Sequence, residues 1–128
     1  MRLNPDCIRD ILLDIEEFTA PGKFYEFRPN AANSESRCSK YDSEVVLYHI
    51  KQCELNCYLT EVHWYMDRSC MVIDLTPLAH QFLSDIREDT NWNKTKEIAK
   101  SVGSTSMDAI RQIAAGVISS LIHSQLGL

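Results

Sequence analysis

His49, Cys53 and Cys57 follow one another at four-residue intervals, and His63 and Cys70 lie a short way downstream. On a helix of 3.6 residues per turn this spacing stacks one imidazole and two thiols on one side, a donor set that zinc accepts. The same residue types suit nucleophilic catalysis, with Cys53 or Cys70 as nucleophile and His49, His63 or His80 as base. A simpler reading competes with both. Cys53 and Cys57 share a stripe with Val46 and Ile50 that must face a core, and a free cysteine packs as a small hydrophobe. The paired cysteine knuckles of structural zinc sites are absent, and no motif of a cysteine enzyme flanks any of the five cysteines. His80 reads as a structural hydrogen-bonding residue near the start of its helix. Glu16-Glu17 and Asp85/Glu88/Asp89 read as solvated helix faces. Four glycines, none of them clustered, make no phosphate loop. We therefore expect no catalytic residue, no metal ligand and no cofactor.

The elements that would carry these residues centre on 43–76. Residues 43–56 read as a helix, capped by Asp42 or Ser43, with Val46, Ile50, Cys53 and Cys57 as its apolar stripe. Residues 58–65 are dense in β-branched and aromatic side chains, 66–69 can turn, and 70–75 returns as a second strand. Thr76-Pro77 then opens a helix, with Thr as N-cap and Pro in the first turn, and Ala79, Phe82, Leu83 and Ile86 form its buried face. A helix running into a β-ribbon is the core of a winged helix.

Upstream, Asn4-Pro5 starts an amphipathic helix over 5–18 carrying Ile8, Ile11, Leu12, Ile15 and Phe18, and Pro21-Gly22 ends it. Residues 23–27 suit a short strand, and 28–40 lose all periodicity and read as a loop. Downstream, a helix capped by Asp89 or Thr90 carries Trp92, Thr95, Ala99 and Val102 on one side and stops at Gly103. The Lys94, Lys96 and Lys100 cluster reads as its exposed face. Thr105-x-x-Asp108 has the form of a capping box for a last helix with Ile110, Ile113, Ala114, Val117, Ile118, Leu121 and Ile122. That stripe either completes the core or pairs with a second copy as a homodimer through 110–122.

The fold class expected is α+β: a winged-helix-like domain of N-terminal helix, central helix and β-ribbon wing, with additional C-terminal helices. The expected organisation is one domain over 1–128, with 1–88 as the winged-helix core and 89–128 as a helical extension. A length of 128 residues, 45% hydrophobic and 24% charged, suits one globular domain. No apolar run reaches the roughly 18 residues of a membrane span, and the N-terminus lacks the pattern of a secretory signal. An odd cysteine count scattered over the chain argues for reduced thiols, so a cytoplasmic protein is expected.

Four stretches resemble one family of small bacterial and prophage-encoded proteins grouped as a domain of unknown function. They are Leu3-Asn-Pro-Asp-Cys-Ile-Arg-Asp-Ile-Leu12, Tyr48-His49-Ile-Lys51, Leu75-Thr76-x-x-Ala-His80-x-Phe82-Leu83 and Ile86-Arg-Glu-Asp-Thr-Asn-Trp-Asn-Lys-Thr-Lys96. The likeness implies a winged-helix-like domain with extra C-terminal helices and an association with phage and other mobile elements. Where the family has Ala-Gly after the central helix this chain has Asn56-Cys57, and Asn56 is expected to take the left-handed cap.

Two binding functions follow. A winged helix suggests DNA reading, with 43–56 (Tyr48, His49, Lys51) in the major groove and phosphate contacts from Lys23, Arg28, Arg37, Lys40 and Arg68. The charge opposes it: the chain carries −5, and over 42–56 Asp42, Glu44 and Glu54 face only Lys51. The other function is protein binding, anchored by Trp64 and Tyr65 on the wing. We take as the leading expectation a non-enzymatic, phage-associated regulator or adaptor that binds a host or phage protein, such as an antirepressor or an inhibitor of a defence protein. A sequence-specific DNA-binding regulator is the alternative. In either case the partner-binding set is Arg37, Lys40, Tyr48, His49, Lys51, Trp64, Tyr65 and Arg68.

Overall fold

A computed structural model of the chain describes residues 1–31 and 35–127. The stretch 32–34 of the expected 28–40 loop therefore lies outside the described residues. The chain divides into two compact units, Asp6–His80 and Met1–Pro5 with Gln81–Leu128.

In the first unit α1 (Pro5–Phe18) buries Ile8, Ile11, Leu12 and Ile15 of the expected stripe and Cys7 beside them, while Phe18, in its last position, is only half-buried. A tight turn, in which Ala20 and Lys23 exchange backbone hydrogen bonds and Gly22 takes φ 79°, leads to β1 (Tyr25–Phe27). The loop expected over 28–40 contains a 3-10 helix, Arg37–Lys40, because the Ser36 hydroxyl accepts from the Cys38 N–H and caps it. Then come α2 (Ser43–Leu55), β2 (Leu59–Trp64) and β3 (Cys70–Leu75). The sheet order is β1-β3-β2, all antiparallel, with Tyr25 opposite Val72 and Leu59 opposite Leu75. Glu61 takes φ 47°, and the β2–β3 ladder skips it between Thr60 and Val62. Helix, strand, helical turn, helix and hairpin, with the first strand closing on β3, make a winged-helix-like α+β fold.

The end of α2 differs from expectation. Val46, Ile50 and Cys53 are buried, but Cys57 is exposed, one residue beyond the helix cap. The Tyr58 N–H bonds to the Cys53 carbonyl and the Cys57 N–H to the Glu54 carbonyl, a closure that needs its left-handed residue at Cys57, φ 62°. Asn56 keeps φ −86°, so the strained position falls on the cysteine and not on the asparagine.

After β3 in the chain comes α3 (Pro77–Ile86). The Thr76 hydroxyl accepts from the Ala79 N–H at 3.2 Å, as the cap reading requires, and Ala79, Phe82, Leu83 and Ile86 are buried. In the second unit α4 (Asp89–Val102) and α5 (Met107–Leu126) pack on each other. Both caps shift by one residue from the sequence reading. Glu88, not Asp89 or Thr90, is the N-cap of α4, and Ser106, not Thr105, caps α5 by accepting from the Ala109 N–H at 3.1 Å. Trp92, Thr95 and Ala99 are buried, whereas Val102 is exposed beside Gly103, which ends α4 at φ 79°. On α5, Met107, Ile110, Ala114 and Val117 are buried, while Leu121 and Ile122 are exposed. Among the described residues no helix is long and apolar enough to cross a membrane.

Candidate functional site

The eight residues expected at a partner surface separate into three groups. Arg37 and Lys40 turn towards α1. The Arg37 guanidinium lies 2.9 Å from Asp14 Oδ1 and 2.6 Å from Glu17 Oε2, and the Ser36 hydroxyl and Arg37 N–H also donate to Asp14. Lys40 Nζ is 3.1 Å from Asp10 Oδ2, to which the Tyr41 hydroxyl donates at 2.7 Å. Asp14 is wholly buried and Asp10 nearly so, so these cations complete a clasp between the 3-10 helix and α1. Burial and the hydrogen bond to Asp10 push the Tyr41 phenol well above its ordinary range. Asp10, Asp14 and Glu17 recur on one face of α1, and that acidic spacing was the signal in the sequence. Glu17 is thus an ion-pair partner and not simply a solvated face.

His49 makes the second group. It is fully buried, its Nδ1 2.7 Å from the Val45 carbonyl oxygen, so it belongs to the core and leaves the candidate surface. Its distance from solvent follows from its place beside Ile50 and Cys53 on the inner face of α2.

Tyr48, Lys51, Trp64, Tyr65 and Arg68 remain on α2 and the wing. Glu54 gathers two of them: Lys51 Nζ lies 2.8 Å from its Oε1, and the Trp64 indole N–H donates to the same oxygen at 3.1 Å. Lys51 also sits 5.5 Å from the centre of the Trp64 ring. Arg68, at φ 70° in the wing turn, pairs with Glu44 at the start of α2. At the wing tip the Tyr65 N–H bonds to the Ser69 carbonyl and the Arg68 N–H to the Tyr65 carbonyl. The Ser69 hydroxyl and N–H donate to Asp67 and hold its carboxyl below the usual range. The turn presents Tyr65, half exposed, and Met66, wholly exposed. Met66 and the carboxylates Glu44 and Glu54 are the members that sequence reasoning missed; only tertiary pairing identifies them.

Cys7, Cys38, Cys53 and Cys70 are buried free thiols, and Cys57 is exposed. Among the described residues no group of three His, Cys, Asp or Glu side chains is placed to hold a metal ion. Burial pushes the Cys7 and Cys70 thiols up to about 12, and it raises Cys38 and Cys53 further in the same direction. That is opposite to the activation a nucleophile needs. His80 is exposed, with its backbone N–H bonded to the Thr76 carbonyl.

Residues 2–106 match the family described as "Hypothetical protein (DUF2513)". The chain belongs to that family. The match takes in the winged-helix-like unit, α3 and α4, and stops where α5 begins. A Haemophilus influenzae protein named "Uncharacterized protein" is 32% identical over 132 residues, covering 95% of this chain and 99% of its own length. No solved structure matches the chain.

Proposed function

We propose that this member of the family is a non-enzymatic binding protein that docks on another protein through α2 and the wing. The reading includes a phage-associated regulator or adaptor, of the antirepressor or defence-inhibitor kind, working in a reducing, cytoplasmic setting that its five free cysteines suit. The observation that carries it is the pairing of charge beside exposed aromatic surface. Lys51 and Arg68 each meet a carboxylate on α2, while Trp64, Tyr65 and Met66 stand exposed next to them. Phosphate binding requires cations free to displace counterions, whereas protein interfaces are anchored by aromatics and methionine. Over residues 6–80 seven Lys and Arg face thirteen Asp and Glu, a net −6, which repels nucleic acid from the unit that would read it. Raised thiol pKa values support the non-enzymatic part.

The second reading, a DNA-binding regulator, is favoured by the winged-helix-like topology, which makes α2 the natural recognition helix. One comparison separates the two. Tyr65→Ala or Trp64→Ala should weaken capture of a specific protein from nuclease-treated extract of the source cell by about 2 kcal/mol or more, and Lys51→Ala with Arg68→Ala should do little. Sequence-selective DNA binding with log affinity falling about 0.9 per phosphate contact for each unit of log salt would reverse the choice, if the double cation variant lost it and Tyr65→Ala kept it.

A further inference from the structure

We infer that the exposed end of α5 is a self-association surface, on which two copies of this chain pair through Leu121, Ile122 and Leu126. Four residues, 103–106, join α4 to α5, so the two packed helices run antiparallel as a hairpin. With 14 residues in α4 and 20 in α5, the helices are about 21 and 30 Å long, and α4 runs out six residues before α5 does. Exposure changes at that point. Met107, Ile110, Ala114 and Val117 are buried against the hairpin, and Leu121, next in the same alternating three-and-four spacing, is 46% exposed. Ile122 is 52% and Leu126 66% exposed, and Ile118, one turn before Ile122, is half-buried. The apolar stripe thus outlasts its partner helix within the chain.

Charge indicates what covers it. No Asp, Glu, Lys or Arg occurs from Gln112 to Leu128, where His123 is the one titratable side chain, in a chain carrying −5 overall with His neutral. A basic or acidic partner finds nothing to pair with here, and two like-charged copies meet where neither carries side-chain charge. A surface both apolar and uncharged is complementary to itself, as a two-fold interface requires. Area sets the strength. Three aliphatic side chains about half exposed or more present on the order of 300 Å² of apolar surface, already the size of the largest patch most monomers show. Doubled, and extended by Ile118 on the same face of the helix, it stays below the roughly 1,200 Å² of a standard specific interface and falls among the small, transient ones. The dimer should accordingly be weak and reversible, with a Kd on the order of 1–100 µM, as befits a transient contact.

This inference is independent of the wing reading. Sedimentation equilibrium of the full chain at loading concentrations spanning that range should show a monomer–dimer equilibrium. Ile122→Glu, at an exposed position where the fold tolerates it, should weaken dimerisation at least tenfold without lowering the melting temperature, and Met66→Glu on the wing should leave it unchanged. A wild-type chain that stays monomeric up to ~500 µM, a dimer that survives Ile122→Glu, or one lost in Met66→Glu would each overturn the inference. So would a chain that remains monomeric in buffer but binds neutral phosphatidylcholine vesicles through this helix end.

Discussion

Four cations of one candidate set, Arg37, Lys40, Lys51 and Arg68, end in ion pairs of two different kinds. At the α1 clasp the Arg37 guanidinium reaches Asp14, whose side chain is wholly shielded from water, while the carboxylates that hold Lys51 and Arg68 are 27% and 64% exposed. Burial decides what each pair does. A carboxylate withdrawn from solvent must keep its partners, so Arg37, Ser36 and the 3-10 helix are fixed in place. A carboxylate in water loses little when its partner leaves. The α2 and wing pairs therefore contribute little to the stability of the fold, whereas the clasp is part of it. The difference separates scaffold from surface where the sequence shows only four basic residues.

The comparison breaks first at Asp14. Asp14→Ala removes the acceptor of three hydrogen bonds, two of them from Arg37 and one from the Ser36 hydroxyl. Hydrogen bonds to a charged group contribute about 1.5–3 kcal/mol each, and they are not additive, so a loss of about 3 kcal/mol is expected. Glu44→Ala, which frees Arg68, should cost less than about 1 kcal/mol. Urea unfolding of the two variants measures both. Equal losses would mean that burial does not distinguish the two regions.

The clasp also bears on the thiols beneath it. Burial first, and Asp10 second, raise Cys7 from its ordinary 9.0 to about 12, and burial with Asp14 acts on Cys38 in the same direction. A group whose folded pKa is raised holds its proton in the native state. Its contribution is whole below the ordinary value and is lost as pH rises towards the folded value. The melting temperature should therefore fall progressively between about pH 9 and about pH 12. An aromatic disulfide reagent should modify the exposed Cys57 quickly at neutral pH, and the four buried cysteines only as the chain unfolds. Five fast thiols would contradict the burial on which the clasp argument depends.

These contrasts mark how far the sequence could be read. Pro5, Thr76-Pro77 and Gly103 are local signals, and the elements they bound form where expected because a cap or a fixed φ acts within one turn. The cap of α5 slipped by one residue because Thr105 and Ser106 both offer a hydroxyl at the helix start and Ser106 takes the Ala109 N–H, while Glu88 at the start of α4 makes no side-chain cap hydrogen bond, so no capping chemistry marked it in the sequence. Leu121 and Ile122 keep the apolar pattern of α5, yet their exposure depends on the length of α4, a fact about another element. Cys57 fits the α2 stripe by spacing and lies outside it because the helix closes one residue earlier. The pairing of each cation is tertiary, so composition gave the right surface charge and no indication of which residues were pinned.

The smallest effect tests the wing itself. Glu54 receives Lys51 and the Trp64 indole N–H on one oxygen, and Lys51 lies over the Trp64 ring, so three side chains form one exposed unit. A double-mutant cycle between Lys51→Ala and Trp64→Leu should give a coupling of about 0.5 kcal/mol, since an exposed cation–ring contact contributes about 0.5–1 kcal/mol and water competes for both partners. Molar salt should reduce it, because the Lys51 charge is screened. Only such weak coupling lets Trp64 leave Glu54 and enter a partner's pocket at small cost. A coupling above about 2 kcal/mol would place this unit with the clasp, as scaffold, and would leave Tyr65 and Met66 as the anchors of the proposed docking surface.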